Sequence, residues 1–466
     1  MVFSSTTFIF IFLPLALIIY LLFNRLDKNK IALIIFSVLF YLFAGTNSFY
    51  VMIALLLVNY IIGVLLTRVK AQKVVLAAGI ILDIGLLFYF KYINFGIYII
   101  NTAFNTSISG LEVIMPLGVS FFIFSMISYL MDIYRGEDNC SFVDFLWYIL
   151  FFPKIISGPI MAYKDFLKSK ISLRFSTENL AAGIERFIIG LAKKVIIADV
   201  LGSTVDTIFN SFAIGIDTPT AWIGAICYTM QIYFDFSGYS DMAIGIARMF
   251  GFTLNENFAF PYVSQSISEF WRRWHISLGS WFRNYLYIPL GGNRRGNVYV
   301  NLFIVFLATG IWHGASFTFI FWGIGIGIIM IIERLIMKKE WYRKIPSVVK
   351  WFVTFNLLNL SWVIFKSEGI HFALQYYGRM FGVLAPAEVQ FTWQHFAQKS
   401  IIVTLMIAFV GSTLLNNSRI QKIMNETANR SLKLYAVKVV VLLAMFILAV
   451  IYMVSSSYSP FIYFQF

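Results

Sequence analysis

Long apolar runs with few charges dominate this chain and decide what it can fold into. Such runs fall near residues 8–23, 31–44, 48–66, 74–100, 113–134, 180–199, 221–250, 299–316, 317–334, 351–366, 400–415 and 434–455. Hydrophobic residues make up 60% of the chain and charged residues only 12%, whereas soluble domains contain about 45–50% apolar residues. Too few polar side chains remain to cover that apolar surface in water. The sequence therefore predicts an all-α polytopic protein embedded in a lipid bilayer.

The lengths of these runs indicate an irregular set of helices. Several are shorter than the roughly 20 residues that a helix needs to cross a bilayer, so some helices would cross a thinned region or stop partway, buried in protein. Segments 142–161 and 270–291 are interrupted by Pro or Gly and predict re-entrant or interfacial helices. We expect about 11 or 12 transmembrane helices in one domain covering residues 1–466, because the polar stretches are too short for an independent core.

The net charge of +14 comes from basic residues that cluster in short loops, near 25–30, 68–73, 164–170, 294–295 and 338–344. This distribution is typical of the positive-inside rule and of contact with anionic lipid headgroups, and it argues against nucleic acid as a partner. The first apolar run lacks a preceding basic region and a small-residue cleavage site, and its positive charges follow it. We interpret it as a transmembrane helix with the N-terminus outside, not as a signal peptide.

Cysteine and histidine usage gives no sign of a metal centre. Cys140 and Cys227 are far apart and form no CxxC pair, and the four histidines form no HxxxH or HExxH pair. We expect no bound metal and no bound cofactor.

The stretch GIWHGAS, residues 310–316, places His313 within an apolar region. An ionisable side chain in the hydrocarbon layer is costly and usually marks a functional group or a water-filled pocket. A neutral imidazole, with a pKa of about 6.5, is suited to take a proton from a hydroxyl. The alternative is a buried histidine that ties two helices together. Gly310 and Gly314 share a helix face and permit close backbone approach in either case.

The stretch 268–294 mixes arginines with aromatic residues: Arg272, Arg273, Arg283 and Arg294 alternate with Trp271, Trp274, Trp281 and Tyr287. Such mixtures occur at the headgroup level of membranes, so an interfacial anchor helix is one interpretation. The other is a cytoplasm-facing basic rim that meets an anionic donor. His275 lies in this stretch and is a second candidate, although spacing alone does not bring it to His313.

Asp235 and Asp241 lie in the apolar run QIYFDFSGYSDMAIG. Six residues apart on a helix, they point about 120° apart and form no obvious carboxylate pair. The structural interpretation is that each pairs with an arginine or caps a helix broken at Ser237–Gly238. His371 and His395 lie in a polar segment and are expected at the solvated surface.

Three motifs together, GIWHGAS, FWRRWHISLGSWFRNYLYIPLGGNR and QIYFDFSGYSDMAIG, resemble the membrane-bound O-acyltransferase (MBOAT) family. Four further stretches are similar to its bacterial alginate O-acetyltransferase branch: the opening MVFSSTTFIFIFLP, AGTNS at 44–48, FFPKIISGPI and the final FIYFQF. The family pattern implies that His313, in WHG, is the principal catalytic residue and that His275 occupies the second polar position upstream. The resemblance also implies that Trp312, Asp235 and Asp241 line a tunnel or support it.

The resemblance further implies an MBOAT fold, in which tilted helices surround a central funnel and tunnel. Acetyl-CoA would be the donor, docked at a cytoplasmic rim formed by Arg272, Arg273, Arg294 and Trp274. His313 would act as general base or proton relay while the acetyl group passes across the bacterial inner membrane. A separate extracytoplasmic O-acetyltransferase would then complete transfer to a cell-surface or secreted polysaccharide of the alginate type.

Two alternatives remain open from the sequence. One, within the same family, is D-alanyl transfer toward teichoic acid from an acyl-carrier protein. The other is a proton-coupled transporter whose buried histidines and aspartates carry protons. A transporter would usually contain internal repeats, and we find none by inspection.

Overall fold

The computed structural model describes residues 2–24, 28–43, 45–169, 175–386, 388–416 and 431–455. Within these ranges the regular structure is helical, and one isolated β-bridge pairs Ile216 with Phe391. Parts of four stretches discussed above lie outside the described residues: 25–27 of the first basic loop, 44 of AGTNS, 170 of the third basic loop and the whole of the final FIYFQF. The prediction of an all-α protein is confirmed for the described part of the chain.

The first half of the chain forms eleven helices, α1 to α11 in chain order among the described residues: Leu13–Asn24, Asn29–Leu42, Thr46–Leu66, Gln72–Phe104, Val119–Tyr134, Phe142–Leu150, Phe152–Ile155, Tyr163–Ser169, Thr177–Ala192, Asp199–Asn210 and Thr218–Met249. The second half contributes α12 to α21: Ile267–Arg273, Ile276–Phe282, Val298–His313, Phe317–Ile336, Glu340–Lys344, Ser347–Lys366, Ile370–Met380, Trp393–Phe396, Lys399–Ser412 and Leu432–Ser455. Wider π-helical turns cover Phe8–Phe12, Lys193–Ala198 and Arg283–Tyr287, and 3₁₀ turns cover Pro261–Val263 and Leu414–Asn416. Each of the twelve apolar runs contains a helix.

Five described helices are long and apolar enough to cross a bilayer: α3, α4, α15, α17 and α21. Five shorter apolar helices have 10–17 residues and lie at Phe8–Phe23, Asn29–Leu42, Val119–Tyr134, Val298–His313 and Lys399–Ser412. The helices that cover the runs 180–199 and 221–250 are in neither group. α11 is instead enclosed by protein along most of its length, which suits the polar residues it carries. The expected total of 11 or 12 spans stays a prediction.

The chain divides into two compact units, and the first comprises residues 1–187, 240–256 and 280–285. Two buried hydrogen bonds lie within it: the Asn59 Nδ2 group donates to Asp83 Oδ1 at 2.8 Å, and the Tyr285 hydroxyl donates to Asp132 Oδ2 at 2.7 Å. The interrupted segment 142–161 breaks at Phe151, between α6 and α7, and residues 151–162 are buried. Irregular backbone at membrane depth is tolerated only where protein or water surrounds it, so this burial agrees with a re-entrant segment.

The second unit comprises residues 188–239, 257–279 and 286–466. Its core is rich in aromatic side chains, including Trp274, Trp322 and Trp362. α14 and α15 form an antiparallel hairpin, and α17 packs against α15. This unit contains both candidate histidines. The expectation of one domain over residues 1–466 stays a prediction.

Candidate active site

His313 is the last residue of α14, where Gly314 ends the helix and the Ser316 hydroxyl caps the start of α15 by accepting the Thr318 N–H. His313 is 5% exposed. Its ring centroid lies 5.3 Å from that of Trp322 and 5.1 Å from that of Phe365, both nearly perpendicular to it. The side chain therefore sits in an apolar aromatic enclosure, as the sequence predicts.

Glycines bring α14 and α15 close enough to place His313 there. A Cβ atom added at Gly310 would lie 2.4 Å from the Phe319 carbonyl oxygen and 3.0 Å from Gly323 Cα. A Cβ at Gly314 would lie 2.4 Å from the Phe319 ring. The predicted close backbone approach is confirmed at Gly310, where a side chain would meet backbone atoms, whereas the neighbour of Gly314 is the Phe319 side chain.

His275 lies in the turn between α12 and α13 and is 3% exposed. Its backbone φ is +45°, in the left-handed region that non-glycine residues rarely adopt. The ring stands perpendicular to Phe236, with centroids 4.6 Å apart. This turn is outside the ten apolar helices that are candidate spans, and burial there lowers the pKa of His275 to about 3. The imidazole is therefore neutral at physiological pH.

Asn257 holds the turn that carries His275. Its Oδ1 atom lies 3.0 Å from His275 Nδ1 and accepts hydrogen bonds from the N–H and the hydroxyl of Ser277, at 3.2 and 2.9 Å. Its backbone carbonyl accepts the N–H of Ile276 at 2.9 Å. No sequence pattern points to Asn257, because a single asparagine in a loop has no spacing that links it to a histidine 18 residues later.

Trp312 adjoins both histidines. Its ring centroid lies 4.8 Å from that of His313 and 6.2 Å from that of His275. The sum of these distances is the upper limit on the separation of the two imidazoles. The structure thus brings together in one aromatic cluster the two histidines that the sequence singled out.

Comparison with known proteins identifies the family. Residues 137–378 match the model of the membrane-bound O-acyltransferase family, and this range includes both histidines. The chain belongs to the MBOAT family. It is therefore an O-acyltransferase and a multi-pass membrane protein, as the resemblance implied. This assignment favours acyl transfer over the transporter alternative.

Relatives of this MBOAT protein extend the comparison over its whole length. It is 40% identical to "Probable alginate O-acetylase AlgI" of Pseudomonas putida, and the alignment covers 100% of both chains. It is 43% identical to the protein of the same name from Pseudomonas syringae pv. tomato, over 82% of this chain and 75% of the relative. It is 34% identical to the peptidoglycan O-acetyltransferase of Helicobacter pylori, over 82% of this chain and 80% of that protein.

The four residues proposed for donor binding differ in their surroundings. Arg272 and Arg294 are exposed. Arg273 is half-buried, forms an ion pair with Glu269 at 2.9 Å and donates to the Ala259 carbonyl. Trp274 is buried, with its ring centroid 5.1 Å from that of Trp362. Two arginines thus present charge at the surface, whereas Trp274 belongs to the core. The roles of all four stay predictions.

The two aspartates of α11 each form an ion pair, buried for Asp235 and partly buried for Asp241. Asp241 pairs with Arg186 at 2.6 Å, which agrees with the structural interpretation. Asp235 pairs with a lysine and not with an arginine: the Lys194 ammonium lies 2.8 Å from Asp235 and 2.5 Å from Asp199. The tunnel or support role given to Asp235, Asp241 and Trp312 stays a prediction.

The alternative interpretation, a helix broken at Ser237–Gly238, is wrong, because α11 is continuous from Thr218 to Met249. Gly238 serves another purpose, since a Cβ there would lie 2.8 Å from the Gly190 carbonyl oxygen. The glycine permits close approach to α9 without breaking α11.

The described residues contain no group of three or more His, Cys, Asp or Glu side chains that could hold a metal ion. Cys140 and Cys227 are buried, separate thiols. Within the described chain, His371 and His395 are exposed, as predicted from their polar segment.

Proposed function

We propose that this O-acyltransferase passes an acetyl group from acetyl-CoA across the membrane for O-acetylation of a cell-surface or secreted polysaccharide. Relatives named as O-acetylases of alginate and of peptidoglycan, aligned over most of the chain, support this reaction and this class of acceptor. The observation that carries the proposal is the pair of buried histidines next to Trp312 in an apolar site. Alginate-type glycans are the acceptor we favour.

His313 acts as the general base in the proposed mechanism. It removes the proton of the acceptor hydroxyl as that oxygen attacks the thioester carbonyl carbon. The new C–O bond forms, the C–S bond breaks, and the CoA thiolate leaves with the proton that His313 returns to it. His275 is the second polar group beside the reacting atoms.

The apolar surroundings of His313 support transfer over hydrolysis. Aromatic rings enclose the imidazole, so bulk water has little access to an activated acyl group there. Burial also strengthens each hydrogen bond that the site makes to the developing charge. An acyltransferase benefits from both effects, because water is the competing acceptor.

The donor enters from the cytoplasm in this proposal. The CoA phosphates are anionic, and guanidinium groups bind phosphate oxygens in a bidentate manner. Arg272 and Arg294 are exposed and so can meet them directly, whereas Arg273 would first exchange its pairing with Glu269. The proposal also places the protein in the bacterial inner membrane, with its N-terminus outside. A separate extracytoplasmic O-acetyltransferase completes the transfer.

The test is acetyl transfer from labelled acetyl-CoA by the purified protein in liposomes. We expect His313→Ala to abolish transfer and His275→Ala to reduce it strongly. His371→Ala, at an exposed histidine, is the matched control and retains wild-type transfer. Elution volume and helical circular dichroism confirm that each variant is folded. A folded His313→Ala protein that transfers acetyl at the wild-type rate would rule out the proposed mechanism.

The class of acceptor is tested in cells. Acetylation of the total surface polysaccharide is measured in a deletion strain complemented with wild type, His313→Ala or His371→Ala. We expect acetylation with the first and the third and none with the second. Unchanged polysaccharide acetylation in the deletion strain would refute a polysaccharide acceptor.

A further inference from the structure

The carboxamide of Asn257 faces three polar groups of the turn that carries His275. Its Oδ1 atom is 3.0 Å from His275 Nδ1, 3.2 Å from the Ser277 backbone nitrogen and 2.9 Å from the Ser277 hydroxyl. All three atoms are in buried residues. The direction of these hydrogen bonds determines which ring nitrogen of His275 carries the proton.

The orientation of this carboxamide follows from the backbone. Oxygen and nitrogen of an asparagine side chain must be assigned from the hydrogen-bond network. The Ser277 backbone N–H can only donate, so the carboxamide atom that faces it must be the acceptor, Oδ1. A flipped carboxamide would place two N–H donors against each other within a buried turn.

His275 Nδ1 then has to be the donor. A carboxamide oxygen carries no proton, so the contact of 3.0 Å is a hydrogen bond only if the proton is on Nδ1. We infer that Asn257 is a positioning residue that holds His275 as its Nδ1–H tautomer and directs the Nε2 lone pair to accept a hydrogen bond in the active site. The catalytic use of that lone pair rests on the function proposed above.

The backbone around Asn257 is built to maintain this contact. Its carbonyl accepts the N–H of Ile276, so the carbonyl and the carboxamide together satisfy the first two N–H groups of α13. His275 precedes the first residue of α13. Its left-handed backbone conformation directs the ring toward Asn257. Such strain persists only where the surroundings fix it.

The inferred tautomer narrows what His275 can do. An imidazole with its only proton on Nδ1, already donated to Asn257, has no N–H left to stabilise an oxyanion. Because burial lowers the pKa of His275 to about 3, a second proton on Nε2 is disfavoured as well. His275 therefore acts as a hydrogen-bond acceptor through Nε2, in the same aromatic cluster as the general base His313.

The first experiment reads the tautomer directly. The chain has only 4 histidines, so protein labelled with ¹⁵N-histidine in liposomes gives few imidazole signals in solid-state NMR. Comparison with His275→Gln and with single Gln variants of the other three assigns the His275 signals. We expect a protonated Nδ1 and an unprotonated Nε2. A protonated Nε2 in the wild type overturns the inference, and this measurement needs no variant of Asn257.

Variants of Asn257 then test its role. Asn257→Ala should lose or mix the tautomer and reduce acetyl transfer on the order of 10²-fold or more, as expected when a catalytic histidine loses its orienting partner. Asn257→Asp keeps an acceptor in place and should restore the tautomer and much of the activity. Its carboxylate also raises the pKa of the imidazole, so the acid limb of its pH profile should move to higher pH.

Asn356→Ala is the matched control, because the Asn356 carboxamide bonds the Phe352 carbonyl within its own helix. It should change neither the tautomer nor the transfer rate. Full activity in Asn257→Ala together with a changed tautomer would overturn the positioning role. Should His313→Ala remain active, the proposed mechanism fails, yet the NMR signal of His275 still decides the tautomer.

Discussion

The contact between α14 and α15 leads to a quantitative prediction about two glycines. Gly310→Ala places a methyl group 2.4 Å from the Phe319 carbonyl oxygen and 3.0 Å from Gly323 Cα. Both neighbours are backbone atoms, so relief requires the helices to move apart. Overpacking of this kind typically costs about 1–3 kcal/mol. The better helix propensity of alanine returns about 0.8–1.0 kcal/mol, so the net change is destabilising by up to about 2 kcal/mol.

Gly325→Ala, in α15, provides the matched control, because a Cβ atom there would meet nothing within 4 Å. The same gain in helix propensity applies without a clash, so this variant should be stabilised by up to about 1 kcal/mol. Thermal unfolding of both variants in one detergent gives the comparison. We expect the melting temperatures to rank Gly325→Ala at or above wild type and Gly310→Ala below it.

Acetyl transfer by the same two proteins tests the functional consequence. His313 lies three residues after Gly310 on α14, so separating the helices displaces the imidazole from its aromatic enclosure. A misplacement of about 1 Å can reduce catalysis on the order of 10²-fold. We expect Gly310→Ala to lose activity at temperatures where it remains folded. A Gly310→Ala protein as stable and as active as Gly325→Ala would refute the close-packing argument.

Three further predictions concern charge. Lys194→Ala should destabilise the protein by about 3–5 kcal/mol in thermal unfolding, because it leaves buried carboxylates without their cation. Lys30→Ala is the comparison: its ion pair with Asp144 is partly exposed, so its loss should cost at most about 1 kcal/mol in the same assay. Arg294→Glu should raise KM for acetyl-CoA more than it lowers kcat in steady-state kinetics, since the guanidinium is exposed and would act in donor binding; an unchanged KM would contradict this. The pKa of His275 is lower in the folded protein than in the unfolded chain, so unfolding below pH 6.5 takes up a proton. The free energy of unfolding should therefore fall by about 2 kcal/mol between pH 6.5 and pH 5. His275→Gln should remove this decrease in the free energy of unfolding between pH 6.5 and pH 5.

The sequence predicted the helical segments well because their signal is local. Each apolar run contains a helix, since a chain that enters lipid must satisfy its backbone internally. His313 could be found because an ionisable residue stands out within an apolar run. The sequence leaves a break at Ser237–Gly238 open as one alternative, because a glycine that breaks a helix and one that permits close packing look identical in a single chain. Only the proximity of Gly190 decides between them.

Asn257 shows what local signals leave out. Its contacts with His275 and Ser277 span 18 and 20 residues and depend on a left-handed backbone at a histidine. No periodicity or composition predicts such a turn, because its conformation is fixed by tertiary hydrogen bonds and not by propensity. Assessing the residues predicted to bind a donor also needs tertiary information: Trp274 and Arg272 are two residues apart, yet one is in the core and the other is exposed.

Glu333 links the two histidines in a way that neither motif reveals. Its carboxylate, on α15, accepts the N–H groups of Ile267 at 2.6 Å and Ser268 at 2.8 Å, the first two residues and first orphan donors of α12. α15 is also the helix that packs through glycine against α14, which ends at His313. The N-terminus of α12 is therefore tied to the hairpin that holds His313, while its C-terminus leads into the turn that Asn257 fixes around His275. Because catalysis depends on the separation of reacting groups, we expect this carboxylate to matter by fixing the separation of the two histidines and not by contacting a substrate.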